Sequence, residues 1–167
     1  MSYARTGWAE VDVTSWSEIE HDVPELCARV RRRFEMGVNK TIATLRGNGA
    51  PRISATELEF ADGEVTFGMM GGSVKLQDVR RDPRIAIHCP TIEVPEARTL
   101  LPDWPGDAKL AGLAAELPSP ADTVYVGAGF FRVDISEVVL TYVGEPRDHL
   151  VIESWHAGRG FRRRTAR

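Results

Sequence analysis

Cysteine is nearly absent: Cys27 and Cys89 are the only two in 167 residues. They stand far apart and neither belongs to a Cys-x-x-Cys pair, so no disulfide framework or thiol metal clamp is expected. Both read as small buried apolar residues of a reducing compartment. Histidine is also scarce. His21, His88, His149 and His156 include no pair four residues apart and no His-Glu-x-x-His, and no metal site is expected. There is no Gly-x-Ser-x-Gly elbow, which removes the commonest serine-hydrolase signature. No apolar run approaches the length of a membrane span, and the N-terminus lacks the charged-then-apolar order of a signal peptide. The expected location is therefore the cytoplasm. Positive charge is not in excess either. The net charge is -3 and the pI about 5.8, which argues against a general nucleic-acid binder. Neither a nucleic acid nor a membrane is an expected partner.

What remains is ordinary in bulk: 43% hydrophobic and 27% charged residues, enough for one globular domain with a true core. Residues 1–13 read as a loose N-terminal arm. The one basic cluster, "GRGFRRRTAR" at 158–167, reads as a solvated, partly disordered tail. Residues 14–157 are left as the domain.

The segment "SWSEIEHDVPELCARVRRRFEM" has helical spacing. Ser15 and Glu18 fit a capping box, and Asp22 with Pro24 and Glu25 offers a second helix start. Leu26, Val30 and Phe34 fall on one face. Strands and turns follow. "TIATLR" (41–46) and "PRISATELEF" (51–60) flank a Gly-Asn-Gly hairpin signal. In "EVTFGM", Val65, Phe67 and Met69 alternate as on a half-buried strand. A short helix is expected at 74–80, ending before Asp82 and Pro83, then a strand at 84–89. Residues 90–106 hold four of the ten prolines and read as a loop insertion. Further strands are expected at 107–114, 129–135, 138–143 and 149–156. The pattern predicts a mainly β fold, an antiparallel barrel with a few short helices.

One stretch carries chemistry: "FGMMGGSVKLQDVRRDPRIAI". A strand ends near Met69, the chain turns through Gly71 and Gly72, and Ser73 sits where a helix N-cap belongs. The first amides of such a helix have no partner within it and, with the helix dipole, favour an anion. Lys75 adds a full charge to the same place. Arg52 on the neighbouring strand offers a forked donor for phosphate oxygens. The same pattern also fits a plain turn and helix cap with solvated basic residues. It is neither a Walker A loop nor a dinucleotide fingerprint, and "GAG" at 127–129 precedes a strand.

The order "KTIATLRGNGAPRIS", "DGEVTFGMMGGSVKLQDVRRDPRIAI", "GDAKLAG", "FRVDISEVVLTYV" resembles the pyridoxamine 5'-phosphate oxidase-like family, the FMN-binding split barrels, and in particular its actinobacterial members. That resemblance implies a split antiparallel β-barrel, a homodimer, and a flavin in each of two grooves between the chains. It also assigns roles. Arg52, Ser73 and Lys75 match the residues that hold the phosphate. Gly68 and Met69 match those running beside the ribityl chain and ring. Trp155 matches a C-terminal tryptophan that reaches the partner's flavin, or is a tryptophan of the core. With Ser54 and Met70, the expected cofactor-binding set is Arg52, Ser54, Gly68, Met69, Met70, Ser73, Lys75 and Trp155. Two departures stand out: Val74 replaces a basic residue, and Glu57 stands near an expected lysine. The Arg-x-His that serves pyridoxine phosphate is missing.

The resemblance therefore implies a flavin-dependent oxidoreductase acting on a small organic molecule, with FMN as cofactor and little activity on pyridoxine phosphate. A 5-deazaflavin coenzyme is the alternative cofactor. A non-catalytic flavin- or haem-binding protein, with His88 or His156 as axial ligand, is the alternative of another class.

Overall fold

The structure is a computed structural model that describes residues 11–92 and 104–167. Most of the arm and most of the expected loop insertion thus lie outside the described residues.

Two short helices open the chain. Helix α1 (Trp16–Asp22) starts at the expected capping box: the Glu18 amide donates to Ser15 Oγ at 3.3 Å, and the Ser15 amide donates to Glu18 Oε2 at 3.1 Å. Helix α2 (Pro24–Glu35) begins with proline, whose missing amide hydrogen costs nothing at a helix start. Its Leu26, Val30 and Phe34 are buried together.

The remaining elements are β1 (Lys40–Leu45), β2 (Pro51–Thr56), β3 (Glu59–Ala61), β4 (Glu64–Met69), α3 (Val74–Arg81), β5 (Arg84–His88), β6 (Asp107–Leu117), β7 (Gly129–Val143), β8 (Leu150–His156) and β9 (Gly160–Ala166). All strand pairs are antiparallel, in the order β2-β1-β5-β6-β7-β4-β3, with β8 and β9 branching from β7. The two ends of that path, β2 and β3, are consecutive in sequence. The sheet therefore curls until its ends meet through Glu57 and Leu58 rather than through a hydrogen-bonded ladder.

Strand β7 creates the split. One edge pairs with β6, while the other pairs with β4 through residues 129–132 and with β8 through residues 137–143. Between these stretches, Thr14 exchanges backbone hydrogen bonds with Ile135 at 2.9 and 2.8 Å. The fold is a mainly antiparallel β, split-barrel fold with few helices.

Three local readings change. The expected strands at 129–135 and 138–143 are one strand, because Ser136 is an extra residue in the β6–β7 ladder, a bulge rather than a turn. The expected strand at 51–60 breaks at Glu57 and Leu58 into β2 and β3. The basic stretch read as a tail is strand β9. It pairs along β8 from Leu150↔Ala166 to His156↔Gly160, and its arginines keep an exposed sheet edge charged.

The core lies between the helices and the inner sheet face. Trp16, Ile19, Phe34, Ile42, Val65, Phe67, Leu110, Phe131, Val133 and Leu140 share one cluster. Phe67 and Phe131 are direct cross-strand partners and stack at 5.3 Å. Each such side chain stabilises the fold by about 1.5–3 kcal/mol relative to exposure. Cys27 and Cys89 are buried and unpaired, and burial first, then Glu20 and Asp22, pushes the Cys27 thiol up to about 12.

Candidate functional site

The turn between β4 and α3 is built by its glycines. A Cβ at Gly71 would come within 2.3 Å of the Val126 carbonyl oxygen, so only glycine lets the 126–127 backbone pack there. Gly72 has φ +73, a conformation that other residues rarely adopt. Ser73 is then extended, and its Oγ accepts the Leu76 amide at 3.4 Å, starting α3 as expected. The Val74 and Lys75 amides, in the first turn, have no acceptor within the helix.

Two side chains bridge this helix to β2. Lys75 is half-buried, and its Nζ donates to the Ala55 carbonyl at 2.6 Å. Burial holds its pKa below the ordinary lysine value, so the charge is already partly stripped of water. In the other direction, Arg52 Nε donates to Asp78 Oδ2 at 2.5 Å. Asp78 is buried and also takes Arg81 Nη2 at 2.8 Å and Thr44 Oγ1 at 3.4 Å. Burial pushes the Asp78 carboxyl up, but Arg81 and Arg52 outweigh it and hold the pKa below the usual carboxylate value. Thr44 and Arg52 face each other in the β1–β2 ladder, so the strand register brings both to the same carboxylate.

The consequence is a fixed arginine with a free end. The bond to Asp78 uses Nε. Among the described residues the two Nη groups of Arg52 have no partner. The seam between β2 and α3 therefore carries a guanidinium fork, a lysine ammonium with hydrogens beyond its one bond, and two unclaimed amides. That is the donor set an organic phosphate requires.

The other predicted residues divide. Ser54 lies on the Arg52 side of β2 and is half-buried. Gly68 is exposed on the outward side of β4, and Met70, just past the strand's end, is 71% exposed. Met69 points inward and belongs to the core, so only its backbone faces the turn. Trp155 is not brought to this site. It is buried in the core cluster, and its Nε1 donates to Asp22 Oδ2 of α1 at 2.6 Å. Asp78 was missed as a site residue, as was exposed Val126, whose carbonyl packs against Gly71 beside the turn. An Asp three residues before Arg81 was the available signal for Asp78.

His88 Nδ1 bonds the Cys89 carbonyl at 2.7 Å, and His156 Nδ1 bonds Arg159 at 3.1 Å. His88, Cys89 and Asp107 do place ligand atoms within 4.8 Å of one another. A buried cation already stands there: Arg33 Nη2 is 3.0 Å from the Cys89 sulfur and 3.7 Å from Asp107 Oδ1. A metal ion would meet that fixed charge. The cluster instead ties α2 to β6, with Arg33 also donating to the Gly106 carbonyl.

No family model matches the chain. No curated protein matches it in sequence. Solved structures match in fold. A pyridoxamine 5'-phosphate oxidase-related, FMN binding protein from Nostoc punctiforme has a TM-score of 0.58 at 13% identity, covering 92% of this chain and 100% of that one. PhzG from Burkholderia lata, in complex with tetrahydrophenazine-1-carboxylic acid, has a TM-score of 0.58 at 11% identity, covering 84% and 85%. A heme binding protein from Mycobacterium smegmatis has a TM-score of 0.50 at 14% identity, covering 83% and 87%. The chain spans 53% of the length of another match, a protein of unknown function from Agrobacterium tumefaciens. At these identities the likeness is one of fold.

Proposed function

We propose that this chain is a flavin-dependent oxidoreductase that holds FMN by its phosphate at residues 71–75 and exchanges hydride or electrons with a small organic molecule. The observation that carries this reading is the donor set along the β2–α3 seam: Arg52 Nη, Lys75 Nζ and the first amides of α3, none of them fully claimed by the protein itself. The resemblance of the turn and its flanking strands to FMN-binding split barrels points the same way.

The bound flavin supplies the redox chemistry. The chain's own residues bind and orient it. Arg52, fixed at Nε, presents two parallel donors to phosphate oxygens. Lys75 adds a point charge whose partial burial strengthens its attraction to an anion. Gly68, without a side chain, leaves the outward backbone of β4 open beside the turn. Val74, exposed at 53%, adds no phosphate contact where a basic residue would. Exposed Glu57 disfavours a second phosphate nearby. With the missing Arg-x-His, this makes pyridoxine phosphate an unsuitable substrate. The working unit is a homodimer whose two grooves each take residues from both chains.

The visible spectrum of the purified protein, with and without added cofactor, tests the reading. The flavin band of bound FMN supports it. A colourless protein that quenches an added 5-deazaflavin coenzyme moves the chemistry to that cofactor. A Soret band replaces it with a haem-binding protein.

A further inference from the structure

On the outer face of the sheet, away from the core, the side chains of β5 to β9 surround a cavity of about 370 Å³. That volume lies in the range of small-molecule sites, roughly 300–1,000 Å³. Its shape follows from the ladder. Ala86 faces Ala111, and two small residues side by side leave a depression in the sheet surface. Beside them, Lys109 stands next to Val139. In the next row, Ile152 stands next to Arg164. Val139 and Ile152 thus form an apolar floor, with one cation on each side.

Among the described residues, Lys109 and Arg164 have no hydrogen-bond or ion-pair partner. Among the described residues one carboxylate lines the cavity, Glu137, and its Oε1 lies 3.9 Å from His156 Nε2. By contrast, Arg29 pairs with Glu153 at 2.8 Å and Arg80 with Glu116 at 2.6 Å. Two cations with no carboxylate partner among the described residues thus stand across an apolar floor.

We infer that this cavity is a second binding site, for a flat organic anion whose apolar body lies on Val139 and Ile152 and whose carboxylate is held by Lys109 and Arg164. The ligand is a carboxylate of one- or two-ring size, because the floor is two apolar side chains wide and the charges stand at its edges. The site is separate from the β2–α3 seam. It is defined by binding alone, and it stands whether or not the seam takes a flavin.

Calorimetric titration of the full chain with 1-naphthoate tests this. Saturable binding is expected, with 1-naphthalenemethanol, the neutral analogue, weaker by about ten-fold or more, since a charge-assisted hydrogen bond has no neutral equivalent. Lys109→Met and Arg164→Met should each weaken naphthoate binding, and the double variant should abolish it, with the thermal melt unchanged because both side chains are exposed. Absence of saturable binding, or equal binding of acid and alcohol, overturns the assignment. So does a Lys109→Glu/Arg164→Glu variant that dissociates a dimer while naphthoate fails to bind the wild-type chain. That result makes the two cations interface groups.

Discussion

Arg52 and Asp78 meet at 2.5 Å between β2 and α3, and Asp78 holds Arg52 by Nε while, among the described residues, its Nη groups have no partner. A buried carboxylate thereby aims a strand arginine at the start of the following helix. Removing the carboxylate loosens two arginines at once. Asp78→Ala should lower stability to denaturant by about 1–3 kcal/mol, the range for stranding hydrogen-bond partners. Both arginines reach water, which keeps the loss below that of a fully buried pair. The same bond sets a pH dependence. The folded carboxyl titrates below its usual value, so its contribution is complete above the unfolded pKa and is lost as pH falls through the folded one. Acid unfolding of Asp78→Asn should begin from a lower plateau and lose less on acidification.

Lys75 titrates the other way. Burial lowers its pKa, so the free protein sheds this proton at a lower pH than an ordinary lysine does. Phosphate binding needs the charged form. FMN affinity should therefore fall as pH rises, starting below the usual lysine range, because the protein must take up a proton in order to bind. Lys75→Arg should flatten that alkaline fall, since arginine stays charged. A titration series measured by flavin fluorescence quenching decides this, and identical alkaline profiles for the two proteins would count against Lys75 as a phosphate ligand.

Trp155 gives the opposite expectation. Its indole is a core group bonded to Asp22 at 2.6 Å, not a seam group. Trp155→Phe should cost about 1.5–3 kcal/mol of stability, the range for a hydrogen bond to a charged group, and leave FMN affinity unaltered. Parallel urea melts and FMN titrations separate these effects. A large loss of affinity with little loss of stability would return Trp155 to the cofactor.

The shared-groove arrangement predicts a dimer in dilute solution. Light scattering on the flavin-loaded protein should give twice the chain mass of 18.5 kDa. A monomer that retains stoichiometric flavin would contradict a groove built from two chains.

How much of this was legible follows from what kind of signal each residue leaves. Ser15 and Glu18 act over three residues, so the capping box can be read locally, and the helix at Ser73 can be read for the same reason. The Val65, Phe67 and Met69 alternation is equally local. Ser136 is different. It looks like a turn residue, yet in the ladder it is the extra residue of a bulge, its Oγ donating to the Ala111 carbonyl at 3.1 Å. Only the partner strand reveals that. Gly112 has the same cause: a Cβ there would fall 2.1 Å from the Asp134 carbonyl oxygen. Strand β9 carries arginines on both faces, so no apolar period marks it, and its backbone pairing with β8 makes it a strand. Asp78 leaves only the local signal of its i,i+3 spacing to Arg81, because its other partner Arg52 lies 26 residues earlier.

The central claim is that the seam recognises a phosphate. Comparing FMN with riboflavin, which differs by that group alone, tests it most directly. Equilibrium titration of the wild-type protein should show FMN binding tighter by about ten-fold or more, and Ser73→Ala/Lys75→Ala should erase most of that difference while leaving riboflavin affinity near its starting value. Equal affinity of the wild-type protein for FMN and riboflavin would contradict the account.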